Sequence, residues 1–164
     1  MVSRPDDLDH QVSDGHAQGL EDALNAFLDT PMSPADFAIH YRIGDAFSGE
    51  TELHLDGDGA YELRSTATQG RERRKYEGSV DEEVVRELAG ELREAKVWQA
   101  VHVRSKPRED DPLAEIAAEA DQLNGRVELW VSEIADSAPF RTAQEHLLRV
   151  VRDLSRGEVL EEGR

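Results

Sequence analysis

The chain has no cysteine among its 164 residues, and it is poor in aromatic side chains, with four phenylalanines, three tyrosines and two tryptophans. The absence of cysteine excludes disulfide bonds, thiolate metal sites and cysteine nucleophiles. No segment approaches the roughly 20 apolar residues of a membrane-spanning helix, and the N-terminal sequence lacks the apolar segment of a signal peptide. We therefore expect a cytoplasmic protein that does not bind a membrane and is long enough to bury its own core.

Basic residues are outnumbered: the chain has 19 of them against 36 acidic ones, a net charge of −17. Proteins bind a phosphate backbone mainly through Lys and Arg, so this charge argues against a nucleic-acid ligand. An acidic surface can steer a basic protein partner or simply maintain solubility, and solubility is the simpler interpretation. The sequence has neither a Gly-rich phosphate-binding motif nor a serine in a nucleophile-elbow context, so we predict no cofactor and no catalytic residue.

Apolar content divides the chain into four parts. Residues 1–18 have almost no large apolar side chains, which predicts a disordered acidic tail. Residues 19–34 predict a short amphipathic helix and a proline-containing linker, since PMSP cannot continue a helix. Residues 35–157 form a single predicted domain, and 158–164 form a C-terminal tail.

The short helix is a candidate for binding a partner. Its apolar face is formed by Leu20, Leu24, Phe27 and Leu28. A helix of about ten residues is marginal alone in water, so it must dock either on its own domain or in a partner's groove. If the helix docks in a partner's groove, these four side chains are the partner-binding residues, and this is our prediction.

Strict alternation predicts the first strands of the domain. DFAIHYRIGD places Phe37, Ile39, Tyr41 and Ile43 on one face, and TELHL and AYELR repeat the pattern. RERRKYEG is a weaker and highly charged fourth strand. Its basic run at 71–75 could contact a phosphate or an acidic partner, but such charges more often protect an edge strand.

The segment LHLDGDGAYEL connects two of these strands. Pairing Leu55 with Tyr61 and Leu53 with Leu63 keeps all four side chains on one face. Residues 57–59, Gly-Asp-Gly, then form a three-residue hairpin loop. A calcium loop starting at Asp56 would require oxygen ligands where alanines stand, so we predict a turn.

Two further helices are predicted. Ser79 and Glu82 have capping-box spacing, and an apolar stripe follows, composed of Val84, Val85, Leu88, Leu92 and Ala95. The last helix carries a stripe composed of Phe140, Ala143, Leu147, Val151 and Leu154, and Gly157 is its predicted C-cap.

Residues 113–122 have two interpretations. Leu113, Ile116 and Leu123 are among the apolar residues that recur at helical spacing. However, Asn124-Gly125 is a strong hairpin signal, and the alternating run RVELWVSEI after it requires a partner strand. We favour a strand and expect the hairpin turn at Asn124-Gly125.

These elements predict an α+β domain, in which an antiparallel β-meander sheet of about six strands has helices packed on one face. If residues 44–50 form the first loop, pairing Tyr41 with Leu53 aligns His40, His54 and Glu62 across three strands on the polar face. Two imidazoles and one carboxylate are ligands of zinc or non-haem iron. Ordinary cross-strand charge complementarity explains the same row more simply.

The sequence therefore favours a non-catalytic, acidic cytoplasmic adaptor or accessory subunit that acts through protein–protein contacts. The alternative is a small enzyme or metal-binding protein that uses His40, His54 and Glu62 on the polar sheet face. Invariance of these three residues among homologues would favour the alternative.

Overall fold

A computed structural model describes residues 5–45, 49–66, 73–100 and 112–155, and for residues 5–16 it describes the helical backbone alone. The predicted helix C-cap at Gly157 and the predicted tail at 158–164 lie outside the described residues. Within the described ranges, six strands and three helices of eight residues or more form one structure around a single hydrophobic core.

The six strands form one antiparallel sheet. They are β1 (Phe37–Asp45), β2 (Gly49–Asp56), β3 (Ala60–Thr66), β4 (Arg73–Ser79), β5 (Leu113–Ala120) and β6 (Leu123–Trp130). Their order across the sheet is β4-β3-β2-β1-β5-β6, with every neighbouring pair antiparallel. This arrangement confirms the α+β class and the six-stranded antiparallel sheet predicted from the alternating pattern.

Three helices cover one face of this sheet. They are α1 (Pro5–Asp29), α2 (Glu82–Glu94) and α3 (Ala138–Ser155). Helix α1 packs on β5 and β6, α2 packs beside α1, and α3 packs beside α2. The inward side chains of the strands meet the helices in the core, where Ile39, Leu55 and Phe140 are fully buried. At about 25 cal/mol per Å² of apolar surface, such burial is the main stabilising contribution.

Helix α1 differs from its prediction in length and in role. It begins at Pro5, whereas the sequence predicts a disordered segment up to residue 18. Proline is favoured at the first helical position, and extending a helix from a docked segment costs far less than nucleating a new one. Helix formation over 5–18 corrects the predicted boundary between a tail and a helix.

The docking of α1 places the predicted partner-binding residues against the protein's own core. Leu20, Leu24 and Phe27 are at most 1% exposed and belong to the core, and Leu28 is partly buried against it. The apolar face of α1 packs against β5, β6 and α2 of the same domain. These four residues are therefore not available to a partner in this structure. Burial of apolar surface against the core stabilises this arrangement.

The β2–β3 hairpin is confirmed at Gly57-Asp58-Gly59. Leu55 pairs with Tyr61 and Leu53 with Leu63, as the parity of the apolar residues predicts. Gly59 adopts φ of +101°, a left-handed conformation that suits glycine, and its amide donates to the Asp56 carbonyl at 2.9 Å.

The predicted capping box at Ser79 is wrong. Ser79 is the last residue of β4, where it pairs with Ala60, and Val80 N donates to the Gly59 carbonyl at 2.9 Å. These strand contacts keep the chain extended, so α2 has Asp81 as its N-cap, without a side-chain capping hydrogen bond. Strand β4 lies at the edge of the sheet, the position predicted for the basic run at 71–75, of which residues 73–75 are described.

The predicted stripe of α2 is confirmed at Val85, Leu88 and Leu92, with Ala89 in place of Val84. Val85, Leu88, Ala89 and Leu92 are buried, whereas Val84 is 37% exposed. Ala95 is partly buried at the helix end. In α3 the predicted stripe is confirmed at Phe140, Ala143, Leu147 and Val151, while Leu154 is only partly buried.

Residues 113–120 form a strand, as favoured, but the hairpin turn was misplaced. The turn consists of Asp121 and Gln122, and Asp121 has φ of +57°. Asn124-Gly125 instead lies inside β6, where Gly125 pairs with Ala118. A Cβ at Gly19 would meet the Asn124 carbonyl oxygen at 1.9 Å, so α1 approaches this strand very closely. Such close packing of a helix on a strand requires glycine at position 19.

Candidate functional site

A row of polar side chains crosses β1, β2 and β3 on the sheet face opposite the helices. The register pairs His40 with His54 and His54 with Glu62, as predicted from the sequence. The alternation that sends Tyr41 and Leu53 into the core turns their neighbours outward on adjacent strands. The backbone therefore holds the two imidazoles side by side.

The two histidine rings are in direct contact. The Nδ1 atom of His54 lies 3.1 Å from the Nδ1 atom of His40, and the ring centroids are 4.5 Å apart at an interplanar angle of 63°. Both side chains are only partly exposed, at 37% for His40 and 43% for His54. The pair is thus accessible from solvent while its rings are held by their neighbours.

Each ring has a carboxylate at its outer nitrogen. His54 Nε2 lies 2.7 Å from Asp56 Oδ1, and His40 Nε2 lies 3.4 Å from Glu119 Oε1. The sequence prediction did not include these two carboxylates. Asp56 follows His54 by two residues and shares its face, so strand parity could have identified it. Glu119 reaches His40 through the pairing of β1 with β5, a long-range contact that the sequence pattern does not define.

Glu62 does not join the histidines as a ligand. It faces His54 in the register, but its carboxylate pairs with Arg64 Nε and lies 3.9 Å from Lys75 Nζ. Within the described residues, no group of three or more His, Asp or Glu side chains is arranged to hold a metal ion. The predicted alignment of His40, His54 and Glu62 across three strands is therefore confirmed. The three side chains do not point to a common position where they could bind one metal ion.

A second polar row, which joins Arg42, Glu52 and Arg64, consists of ion pairs. Arg42 Nε lies 2.7 Å from Glu50 Oε1 and 3.7 Å from Glu52 Oε1. The hydrogen bond to Glu50 is the main cause of the raised pKa of Arg42. Because the Arg42 side chain is 55% exposed, solvent screens both pairs, and each contributes on the order of 0.2 to 1 kcal/mol to stability.

Strands β5 and β6 add a pair of carboxyl groups that the sequence prediction missed. Glu115 lies directly opposite Glu128 in the register. Partial burial and then the charge of Glu128 raise the pKa of Glu115, although Arg126 and Arg42 act in the other direction. Like charges that lie directly opposite each other destabilise a sheet. The repulsion between Glu115 and Glu128 therefore lowers the stability of the sheet.

Two shallow hollows meet at His40. The larger, of about 560 Å³, lies over the two histidines and the rows of Arg42 and Arg64. The smaller, of about 370 Å³, extends towards Asn124 and Arg126. Ala117 lines both, because its small side chain lies between larger ones on the neighbouring strands. The hollows make this face concave at its centre.

Neither protein-family models nor curated proteins gave a match to the sequence. Among the described residues, none of the helices has the length and apolar character needed to cross a membrane. The geometry of the sheet face is therefore the basis for a functional proposal.

Proposed function

We propose that the protein is a non-catalytic accessory subunit or adaptor that binds a basic protein partner through the polar face of its sheet. The observation that carries this proposal is the exposure of the face: seven of its charged side chains are 45% to 59% exposed. No described element packs over it, whereas the opposite face is covered by three helices.

The size of the face supports a protein partner. Six strands about 4.8 Å apart, each about eight residues long at about 3.3 Å per residue, give an area of roughly 700 Å². A standard protein–protein interface buries about 800 Å² on each partner. A small molecule would cover only a part of this area, such as one hollow.

The charge of the face supports a basic partner. By the register, its outward positions carry eight carboxylates against five basic side chains. The whole chain, at −17, adds long-range attraction for a positively charged surface. Such complementarity raises the association rate and selects among partners more than it raises affinity.

A charge-reversal comparison tests the proposal. We would purify the intact protein from its native host as wild type, as the face variant Glu52→Lys/Glu128→Lys, and as the control Glu83→Lys/Glu87→Lys. Glu83 and Glu87 are exposed on α2, so both variants change the net charge equally. Circular dichroism would verify that each variant is folded.

We expect the wild type and the α2 control to recover the same partner, identified by mass spectrometry. The face variant should recover at least about ten-fold less, because rim and face charges govern association. Equal recovery by the face variant would contradict the proposal, as would an equal loss in the α2 control.

A further inference from the structure

We propose that His40 and His54 bind one divalent ion of a first-row transition metal through the Nδ1 atoms of both rings. The two residues are paired in the β1–β2 register, and their Nδ1 atoms are 3.1 Å apart. This proposal does not depend on a protein partner, because both ligands come from the same chain.

The separation of the two nitrogens matches that of two ligands on one ion. Imidazole nitrogens bind zinc at about 2.0 to 2.1 Å. Two nitrogens at that distance, and 3.1 Å from each other, subtend an angle of about 95 to 102° at the ion. This value lies between the angle of about 90° in tetragonal sites and about 109° in tetrahedral ones.

The four ring nitrogens make one contact more than the protons of two neutral imidazoles can satisfy. The contacts of His54 Nε2 with Asp56 and of His40 Nε2 with Glu119 each require an N–H group. The contact between the two Nδ1 atoms requires a third proton, yet two neutral imidazoles carry only two. A metal ion between the Nδ1 atoms satisfies all four nitrogens without a third proton.

The carboxylates at the outer nitrogens are what a metal site would use. A histidine that binds a metal commonly donates its other N–H to a carboxylate, which fixes the ring and makes it a better ligand. Here Asp56 and Glu119 both occupy that position, one on each ring. Ordinary cross-strand complementarity does not require the same arrangement at both histidines.

The chemistry of the site limits which ions fit. Two imidazoles favour zinc, nickel and copper over magnesium or calcium, which prefer oxygen ligands. Glu62 is engaged by Arg64, so the remaining coordination positions belong to water, for which the hollow of about 560 Å³ has room. The open positions distinguish this site from a closed structural one.

Titration of the intact protein with Zn²⁺, Ni²⁺ and Cu²⁺ tests the proposal. We expect one ion per chain at the pair, measured by calorimetry, with copper bound most tightly. Side-chain ¹⁵N NMR should show both Nδ1 resonances shifting on addition of Zn²⁺. His40→Gln and His54→Gln should each weaken binding at least about ten-fold, and Asp56→Asn by about ten-fold, as for other outer carboxylates.

The matched control removes two other histidines, as His10→Gln/His16→Gln, and should keep the wild-type affinity. Thermal melting would show that the histidine variants remain folded, since both side chains lie on the open face. Affinity unchanged in His40→Gln/His54→Gln would overturn the proposal. Nδ1 resonances that do not respond to Zn²⁺ would also overturn the proposal. The contact between the two Nδ1 atoms would then be explained by a proton that the two rings share.

Discussion

The ring of Phe27 lies stacked on the ring of Phe37, with centroids 3.9 Å apart and planes 4° from parallel. Phe27 belongs to α1 and Phe37 begins β1, so this contact joins the N-terminal helix to the centre of the sheet. The Arg86 guanidinium lies 4.8 Å from the centroid of the Phe27 ring and adds a cation–π contact from α2. Helix α1 is therefore part of the core.

The first prediction concerns Phe27. Phe27→Ala should lower the free energy of unfolding by about 3 to 5 kcal/mol, because a cavity replaces a stacked and fully buried ring. Chemical denaturation would measure the change, with Val84→Ala as a control at an exposed apolar position of α2. Deletion of residues 1–30 should abolish cooperative unfolding. A folded truncation with a normal melting temperature would show that α1 is dispensable.

Two glycines in helices provide a second, paired prediction. An added Cβ at Gly19 meets the Asn124 carbonyl at 1.9 Å, whereas one at Gly90 meets nothing within 4 Å. Gly19→Ala should therefore cost about 1 to 3 kcal/mol through overpacking. Gly90→Ala should stabilise the protein by about 0.5 to 1 kcal/mol, because alanine is the better helix former. The same sign of change in both variants would contradict the packing of α1 on β6.

Most strands of the sheet could be predicted from the sequence alone. Alternation assigned strands around Tyr41, Leu53 and Leu63, and parity then set the register of β2 on β3. A first loop placed at 44–50 gave the pairing of His40 with His54, which the structure has. This worked because a one-residue slip would expose every apolar side chain of a strand. The contact between the histidines follows from local pattern alone.

Features that depend on distant contacts were not predictable in this way. Asn124-Gly125 has the composition of a turn, but α1 packs over it through Gly19, which is more than 100 residues away in the chain. Ser79 has the spacing of a helix cap, but it is committed to pairing with Ala60. In both cases tertiary contacts overrode a correct local preference.

A third prediction concerns alkaline pH. Burial raises the pKa of Tyr41 to about 12, although Gln144 donates a hydrogen bond to its hydroxyl at 3.0 Å. An unfolded tyrosine ionises near pH 10, so between about pH 10 and 12 the unfolded chain loses a proton that the folded protein keeps. The free energy of unfolding should fall by about 2 to 3 kcal/mol across this window.

Tyr41→Phe removes that titration and should flatten the dependence of stability on pH above 10. The variant should also lose about 1 kcal/mol at neutral pH, because the Gln144 amide loses its acceptor. Denaturation at several pH values between 9 and 12 would measure both effects. An unchanged slope in Tyr41→Phe would show that this tyrosine does not control alkaline stability.

A fourth prediction concerns Glu115. Because its pKa is raised, the folded protein binds this proton more tightly than the unfolded chain does. Its contribution to stability therefore improves as pH falls through the raised pKa and is unfavourable at neutral pH. Glu115→Gln should stabilise the protein at pH 7 by about 0.2 to 1 kcal/mol, as expected when one of two opposed like charges is removed.

The gain in Glu115→Gln should vanish in acid, where the wild-type carboxyl is protonated in both states. Denaturation at pH 7 and at pH 3 would compare the two proteins, with Glu87→Gln on the exposed side of α2 as the control. A variant that is less stable than wild type at pH 7 would contradict the unfavourable contact with Glu128.

We propose that the polar sheet face, and not the helical layer, contacts a protein partner. The most direct test of this proposal is site-specific photo-crosslinking in the native host, with a benzophenone amino acid at position 52 on the sheet or position 87 on α2. Both positions replace an exposed glutamate. Irradiation should give a discrete crosslinked partner from position 52 and none from position 87, and Glu128→Lys should abolish the crosslink from position 52. The same partner crosslinked from position 87, or none from position 52, would contradict the account.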